Sequence, residues 1–132
     1  MIGRRALVVA LVALGAVFVV APVSAAPTST LFTGIWVSTD ADGSSQMLAV
    51  SGGRSPSVVY QDFYASGCDT FGGPSTHWVA AGKGTVDGTT LWVEFHKSGC
   101  GWFGKGGYVD FYTYDAGTNT LVDQFEITWY RA

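Results

Sequence analysis

The chain has 132 residues, enough for one domain, and carries 7 Lys and Arg against 10 Asp and Glu, a formal net charge of −3. Charged residues make up only 13% of the sequence, about half of the share in an average soluble domain. An acidic chain without a basic cluster is not expected to bind nucleic acid.

The N-terminus has the pattern of an export signal. Arg4 and Arg5 precede an uncharged run over residues 6–21, and the small residues V-S-A follow shortly after it. This predicts a secretory signal peptide at residues 1–25 and a single secreted domain at 26–132, with no membrane attachment after cleavage. A membrane anchor is the alternative, but the run is shorter than a bilayer core. The arginine pair leaves twin-arginine and general secretory export both open.

The sequence contains two cysteines, Cys68 and Cys100. An even number of cysteines in an exported chain predicts a disulfide. A metal site with His77 and His96 is the alternative, but neither residue type shows paired ligand spacing such as C-x-x-C. We therefore expect a disulfide, with no metal and no cofactor.

Beyond the signal, glycine-rich turns alternate with aromatic and β-branched runs, which predicts an all-β domain. The connections are short, so we expect an antiparallel up-and-down meander of seven or eight strands that closes as a barrel, with a β-sandwich as the alternative. Two glycine-rich loops, 68–75 and 98–107, each hold one cysteine. The predicted strands are 34–39, 46–50, 57–64, 76–86 (interrupted at Gly82 and Gly84), 89–97, 108–114 and 120–131, the last as one strand or two.

Several of these strands have aromatic residues on both faces. In 89–97, for example, Leu91, Val93 and Phe95 alternate with Trp92, Glu94 and His96. Tyr and Trp beside acids indicate a binding surface or lumen, with exposed cross-strand pairs or an oligomer interface as the alternatives. The candidate ligand-binding residues are Tyr60, Tyr64, Trp92 and Tyr112.

The two ends of the domain resemble the calycin barrels, a group that includes lipocalins, fatty-acid-binding proteins and avidins. Gly34-Ile35-Trp36 opens the first strand and Arg131 closes the last. The resemblance implies that Trp36 lies at the closed end of a barrel with Arg131 across its indole. It covers these ends only, because the avidin biotin-site pattern and the other lipocalin motifs are not found.

The function expected from these observations is a secreted, non-enzymatic protein that binds a small molecule, a glycan or an extracellular protein. The alternatives are a carbohydrate-binding module and a small-barrel protease inhibitor of the bacterial kind. No catalytic residue is predicted, since nucleophile, metalloprotease and phosphate-loop motifs are not found. The one enzymatic alternative is glycoside hydrolysis by facing carboxylates on neighbouring strands, for instance Glu94 with Asp110.

Overall fold

Eight antiparallel strands form a closed barrel in the part of the chain that the computed structural model describes, residues 30–66, 68, 76–101 and 104–132. The strands are β1 (Gly34–Thr39), β2 (Ser45–Ser51), β3 (Ser57–Asp62), β4 (Trp78–Asp87), β5 (Thr90–Cys100), β6 (Gly104–Asp115), β7 (Thr120–Asp123) and β8 (Thr128–Arg131). Each strand pairs with the next, and β1 also pairs with β8. The all-β meander is thus confirmed as a barrel. The architecture is compatible with a calycin-like fold, and the predicted signal peptide lies outside the described residues.

The barrel interior is filled by one apolar cluster. Strand alternation produces it: in β5, Leu91, Val93 and Phe95 are buried on one face while Trp92 is exposed on the other. Burying one face of each strand is the main favourable contribution to the fold. The buried members of the cluster are Phe32, Trp36, Leu48, Val50, Val58, Ala80, Leu91, Val93, Phe95, Tyr112, Leu121 and Trp129.

The predicted glycine-rich loop at 98–107 is wrong. β5 continues through Cys100, and β6 begins at Gly104. A bulge between Phe95 and Lys97 lets the two strands stay paired. Gly107 is needed there, because a Cβ atom would collide with the carbonyl oxygen of Phe95. Glycine in this segment therefore permits close backbone approach instead of ending the strands.

Other predicted strands also differ in their bounds, and the choice left open for the last stretch is decided. β3 ends at Asp62, two residues before the predicted end. β4 is continuous to Asp87 and passes its glycines with a bulge. The last predicted stretch is two strands, because Asp123 accepts backbone hydrogen bonds from the turn that follows it. Because neighbouring strands run in opposite directions, β1, β3, β5 and β7 all finish at the same end of the barrel, here called the open end.

At the opposite, closed end, Trp36 and Arg131 form a stacked pair. The guanidinium carbon of Arg131 lies 4.1 Å from the Trp36 ring centroid. Arg131 donates to the carbonyl oxygens of Thr33 and Leu31 at 2.8 and 2.9 Å, and the Trp36 indole donates to Phe32 at 2.8 Å. The segment before β1 is thereby held across the barrel end.

Candidate ligand-binding cavity

A cavity of about 440 Å³ lies at the open end of the barrel, within the size range of small-molecule sites. The β1–β2 turn and the β7–β8 turn form its rim, while side chains of β2, β3, β4, β6, β7 and β8 form its wall. It is lined by Asp40, Ala41, Gln46, Tyr60, Trp78, Tyr108, Asp110, Asp123, Phe125, Ile127 and Trp129.

Aromatic rings form most of the apolar wall. Tyr60 contacts Trp129 edge-on at a centroid distance of 6.0 Å and Phe95 at 6.3 Å, and Tyr108 packs on Phe95 at 4.8 Å. Burial raises the pKa of Tyr108 to about 12 and moves that of Tyr60 upward as well. Both phenols are therefore neutral at ordinary pH, so each can donate one hydrogen bond from an otherwise apolar ring.

Asp123 is a buried carboxylate below the rim, with only 6% of its surface exposed, and both of its oxygens accept hydrogen bonds. One oxygen accepts the backbone N–H groups of Phe125 and Ile127 at 2.9 and 3.0 Å. The other accepts the indole N–H of Trp129 at 3.0 Å. These bonds hold the β7–β8 turn and the indole of Trp129 in place. Asp123 therefore stabilises the cavity wall.

Asp110 is a second buried carboxylate, 7% exposed, with fewer partners. It accepts the N–H of Phe111 at 2.7 Å and the hydroxyl of Tyr112 at 3.1 Å. Burial raises the pKa of Asp110, the two hydrogen bonds oppose that rise, and the charge of Asp123 adds to it. Asp110 is thus a cavity carboxylate with acceptor capacity left over.

Gln46 supplies a further polar group to the cavity. Its side chain is 5% exposed, and its Nε2 donates to the Tyr60 hydroxyl at 2.9 Å. Among the described residues, its Oε1 has no hydrogen-bond partner. A buried acceptor without a donor is destabilising, so this carbonyl is suited to receive a donor from a bound molecule.

The four predicted ligand-binding residues do not come together. Tyr60 lines the cavity. Tyr112 is fully buried behind it, with its ring edge-on to Trp129 at 5.9 Å. Tyr64 lies beyond the end of β3 and is 72% exposed, and Trp92 is 46% exposed on the outer surface of β5.

Sequence reasoning missed most of the cavity wall, including Gln46, Trp78, Asp123 and Trp129. The pattern in the sequence that points there is a shared strand face, since Tyr60 and Asp62 are two residues apart, as are Asp110 and Tyr112; the structure places both pairs on inward faces. Gln46 carries no such signal, because a single amide in a strand is normally solvent-exposed.

Glu94 and Asp110 do not form the facing pair considered from the sequence. Asp110 pairs with Val93 in the β5–β6 register and points inward, whereas Glu94 pairs with Val109 and is exposed on the outer surface. Side chains one residue apart on a strand lie on opposite faces. The carboxylate that accompanies Asp110 in the cavity is Asp123 instead.

The predicted disulfide is present. Cys68 and Cys100 are bonded, with a Cα–Cα distance of 5.6 Å, and Cys100 pairs with Trp78 at the open end of the barrel. Within the described residues, no group of three or more potential ligands is placed to hold a metal ion. In the same residues no helix is long and apolar enough to cross a membrane.

Comparisons of the chain with protein-family models, with characterised proteins and with solved structures gave no significant match.

Proposed function

We propose that this is a secreted, non-enzymatic binding protein that holds a small molecule in the cavity at the open end of its barrel. The observation that carries the proposal is the cavity itself, in which polar side chains from β2, β6 and β7 converge between the aromatic rings of Tyr60, Trp78, Tyr108 and Trp129. An apolar wall with a few placed polar groups is typical of small-molecule sites. The Cys68–Cys100 disulfide is compatible with an extracellular location.

A second depression of about 450 Å³ lies on the outside, where β1 and β8 separate beyond the Val37–Tyr130 pair. It shares Asp40, Ala41 and Ile127 with the rim of the inner cavity, and it is further lined by Val37, Ser38, Thr39, Thr128 and Tyr130. The buried polar side chains of Gln46, Asp110 and Asp123 line the inner cavity and are not among the residues that line the groove. We therefore place the ligand inside the barrel and not in this groove.

A glycan-binding face is the second candidate function. On the outer surface of β5 and β6, Trp92 and Phe111 have ring centroids 5.1 Å apart, and the exposed Glu94 and Val109 form a cross-strand pair beside them. Sugar rings stack on such aromatic surfaces while carboxylates accept their hydroxyls. Retention on an insoluble polysaccharide, lost in Trp92→Ala, would support this face as the binding site.

The inner cavity is tested with the neutral solvatochromic dye prodan. We expect its emission to shift to the blue and increase on binding to the native protein. Ala41→Trp places a large side chain on the rim that the cavity shares with the outer groove and should abolish the change. Tyr130→Ala, which alters the groove alone, and the matched variant Ala116→Trp, in a turn at the closed end, should both retain it. Equal dye binding by both variants would contradict the proposed site.

Catalysis is tested separately with chromogenic glycosides, since the three carboxylates of Asp40, Asp110 and Asp123 line the cavity. We expect no hydrolysis by the purified protein. Hydrolysis that is lost in Asp110→Asn would overturn the non-enzymatic part of the proposal and leave the location of the site unchanged.

A further inference from the structure

All charged side chains among the described residues that line the cavity are acidic. Its described lining includes three carboxylates, Asp40, Asp110 and Asp123, and no Lys, Arg or His. Two of them, Asp110 and Asp123, are more than nine-tenths buried. Buried carboxylates are costly unless a cation or several donors accompany them.

Among the described residues, one of the two buried carboxylates accepts three hydrogen bonds and the other accepts two. Asp123 accepts three hydrogen bonds from its own turn and from Trp129. Asp110 accepts one bond from the adjacent backbone and a longer one, 3.1 Å, from Tyr112. The remaining lone pairs of Asp110 are available to a donor that enters the cavity.

Gln46 provides a second buried acceptor for a bound molecule, independent of Asp110. It lies on β2, whereas Asp110 lies on β6, and both line the cavity. The amide is held in place by its bond to Tyr60, and its buried Oε1 has no partner among the described residues. The cavity therefore offers acceptors from two separate strands, and no cationic side chain is present among its described lining residues.

The aromatic side chains of the cavity wall can bind a cationic group as well as an apolar ring. Tyr60, Tyr108, Trp78 and Trp129 surround the space in which the acceptors lie. The faces of Tyr and Trp rings attract ammonium groups through their negative electrostatic potential, and this attraction is stronger away from water.

We propose that the ligand is an organic ammonium ion with N–H donors, a primary or secondary amine attached to an aromatic or branched apolar body. Its ammonium group binds Asp110 and the Gln46 carbonyl, and its apolar body lies against the aromatic wall. This inference rests on the proposed function, because it assigns the ligand class of the same cavity. A quaternary ammonium is disfavoured, since it has no N–H for these acceptors.

The test compares three ligands of similar size by calorimetry: phenethylamine, phenethyl alcohol and phenylacetate. We expect the amine to bind at least about tenfold more tightly than the alcohol, since hydrogen bonds to charged groups are the stronger ones, and phenylacetate to bind most weakly. Asp110→Asn should lower the affinity for the amine by at least about tenfold and change that for the alcohol by less than about twofold.

Two controls make the result specific. Asp115→Asn removes a carboxylate in an exposed turn at the closed end and should leave all three affinities unchanged. Gln46→Leu should weaken binding of the amine more than binding of the alcohol. Thermal melts show whether each variant is folded.

The outcomes separate the two proposals. If prodan binds and Ala41→Trp blocks it, but the amine is not preferred or Asp110→Asn has no effect, the ammonium assignment is wrong and the binding site stands. If neither prodan nor any of the three ligands binds to the native protein, both proposals fail.

Discussion

Arg131 lies across the indole of Trp36 and ties the chain before β1 to the last strand. Gly34 makes this approach possible, because a Cβ atom there would lie 2.9 Å from the Arg131 Nη1 and its φ of +135° disfavours other residues. The closed end of the barrel thus depends on three residues that come from the two ends of the folded domain.

We expect Arg131→Ala to lower the free energy of unfolding by about 1–3 kcal/mol, because the ring contact and two hydrogen bonds to carbonyls are lost together. Urea melts at neutral pH give the measurement. Arg54→Ala, an exposed arginine in the β2–β3 turn at the same end, is the control and should change stability little. A loss below about 0.5 kcal/mol, the range of ordinary surface substitutions, would show that the pair is not structurally important.

Asp110→Asn is expected to stabilise the protein at neutral pH. Burial raises the pKa of Asp110 in the folded state, so folding favours its protonated form and stability falls as the pH rises through that pKa. Asparagine is neutral throughout, and its amide can still accept from Phe111 and donate to Tyr112. The melting temperature of the variant should exceed that of the native protein at pH 7.

This stability difference should shrink on acidification and vanish near the ordinary aspartate pKa of about 3.9. Melts of both proteins in a series of buffers from neutral to acidic pH measure it. A variant that is less stable than the native protein at pH 7, or a difference independent of pH, would contradict the assignment.

The same substitution at Asp123 should have the opposite effect. In Asp123→Asn the new amide N–H would face the Trp129 indole N–H, while the remaining oxygen serves the Phe125 and Ile127 donors. We expect this substitution to cost about 1–3 kcal/mol, the cost of a buried donor left without a partner. Adding Trp129→Phe removes the competing donor, so the double variant should lose less than the sum of the two single variants.

Removing the disulfide should cost about 3–4 kcal/mol, the loop-closure estimate for a bridge between residues 32 apart. The Cys68→Ser, Cys100→Ser double variant is compared with the native protein in urea melts with and without reductant. Reductant should lower the stability of the native protein and leave the double variant unchanged. Equal stability of the two proteins under oxidising conditions would contradict a stabilising role.

The local pattern of the sequence predicted the strands well where alternation was strong. β1 was predicted with both of its bounds, and the inward face of β5 was read from Leu91, Val93 and Phe95. The largest errors occurred at glycines. In 98–107 they allow two long strands to stay close across a bulge, and composition alone does not distinguish that from a loop.

The sequence by itself determined the elements, their alternating faces, the pair of cysteines and the residues at the two ends, because these depend on neighbours along the chain. Only the tertiary structure decided that Gln46, Asp110 and Asp123 meet in one cavity, since strand register and barrel closure depend on contacts between distant segments. A register shift of one residue between β5 and β6 would have put Glu94 on the same face as Asp110. The observed pairing of Asp110 with Val93 turns its carboxylate into the barrel, among the aromatic rings that the proposed ligand would contact.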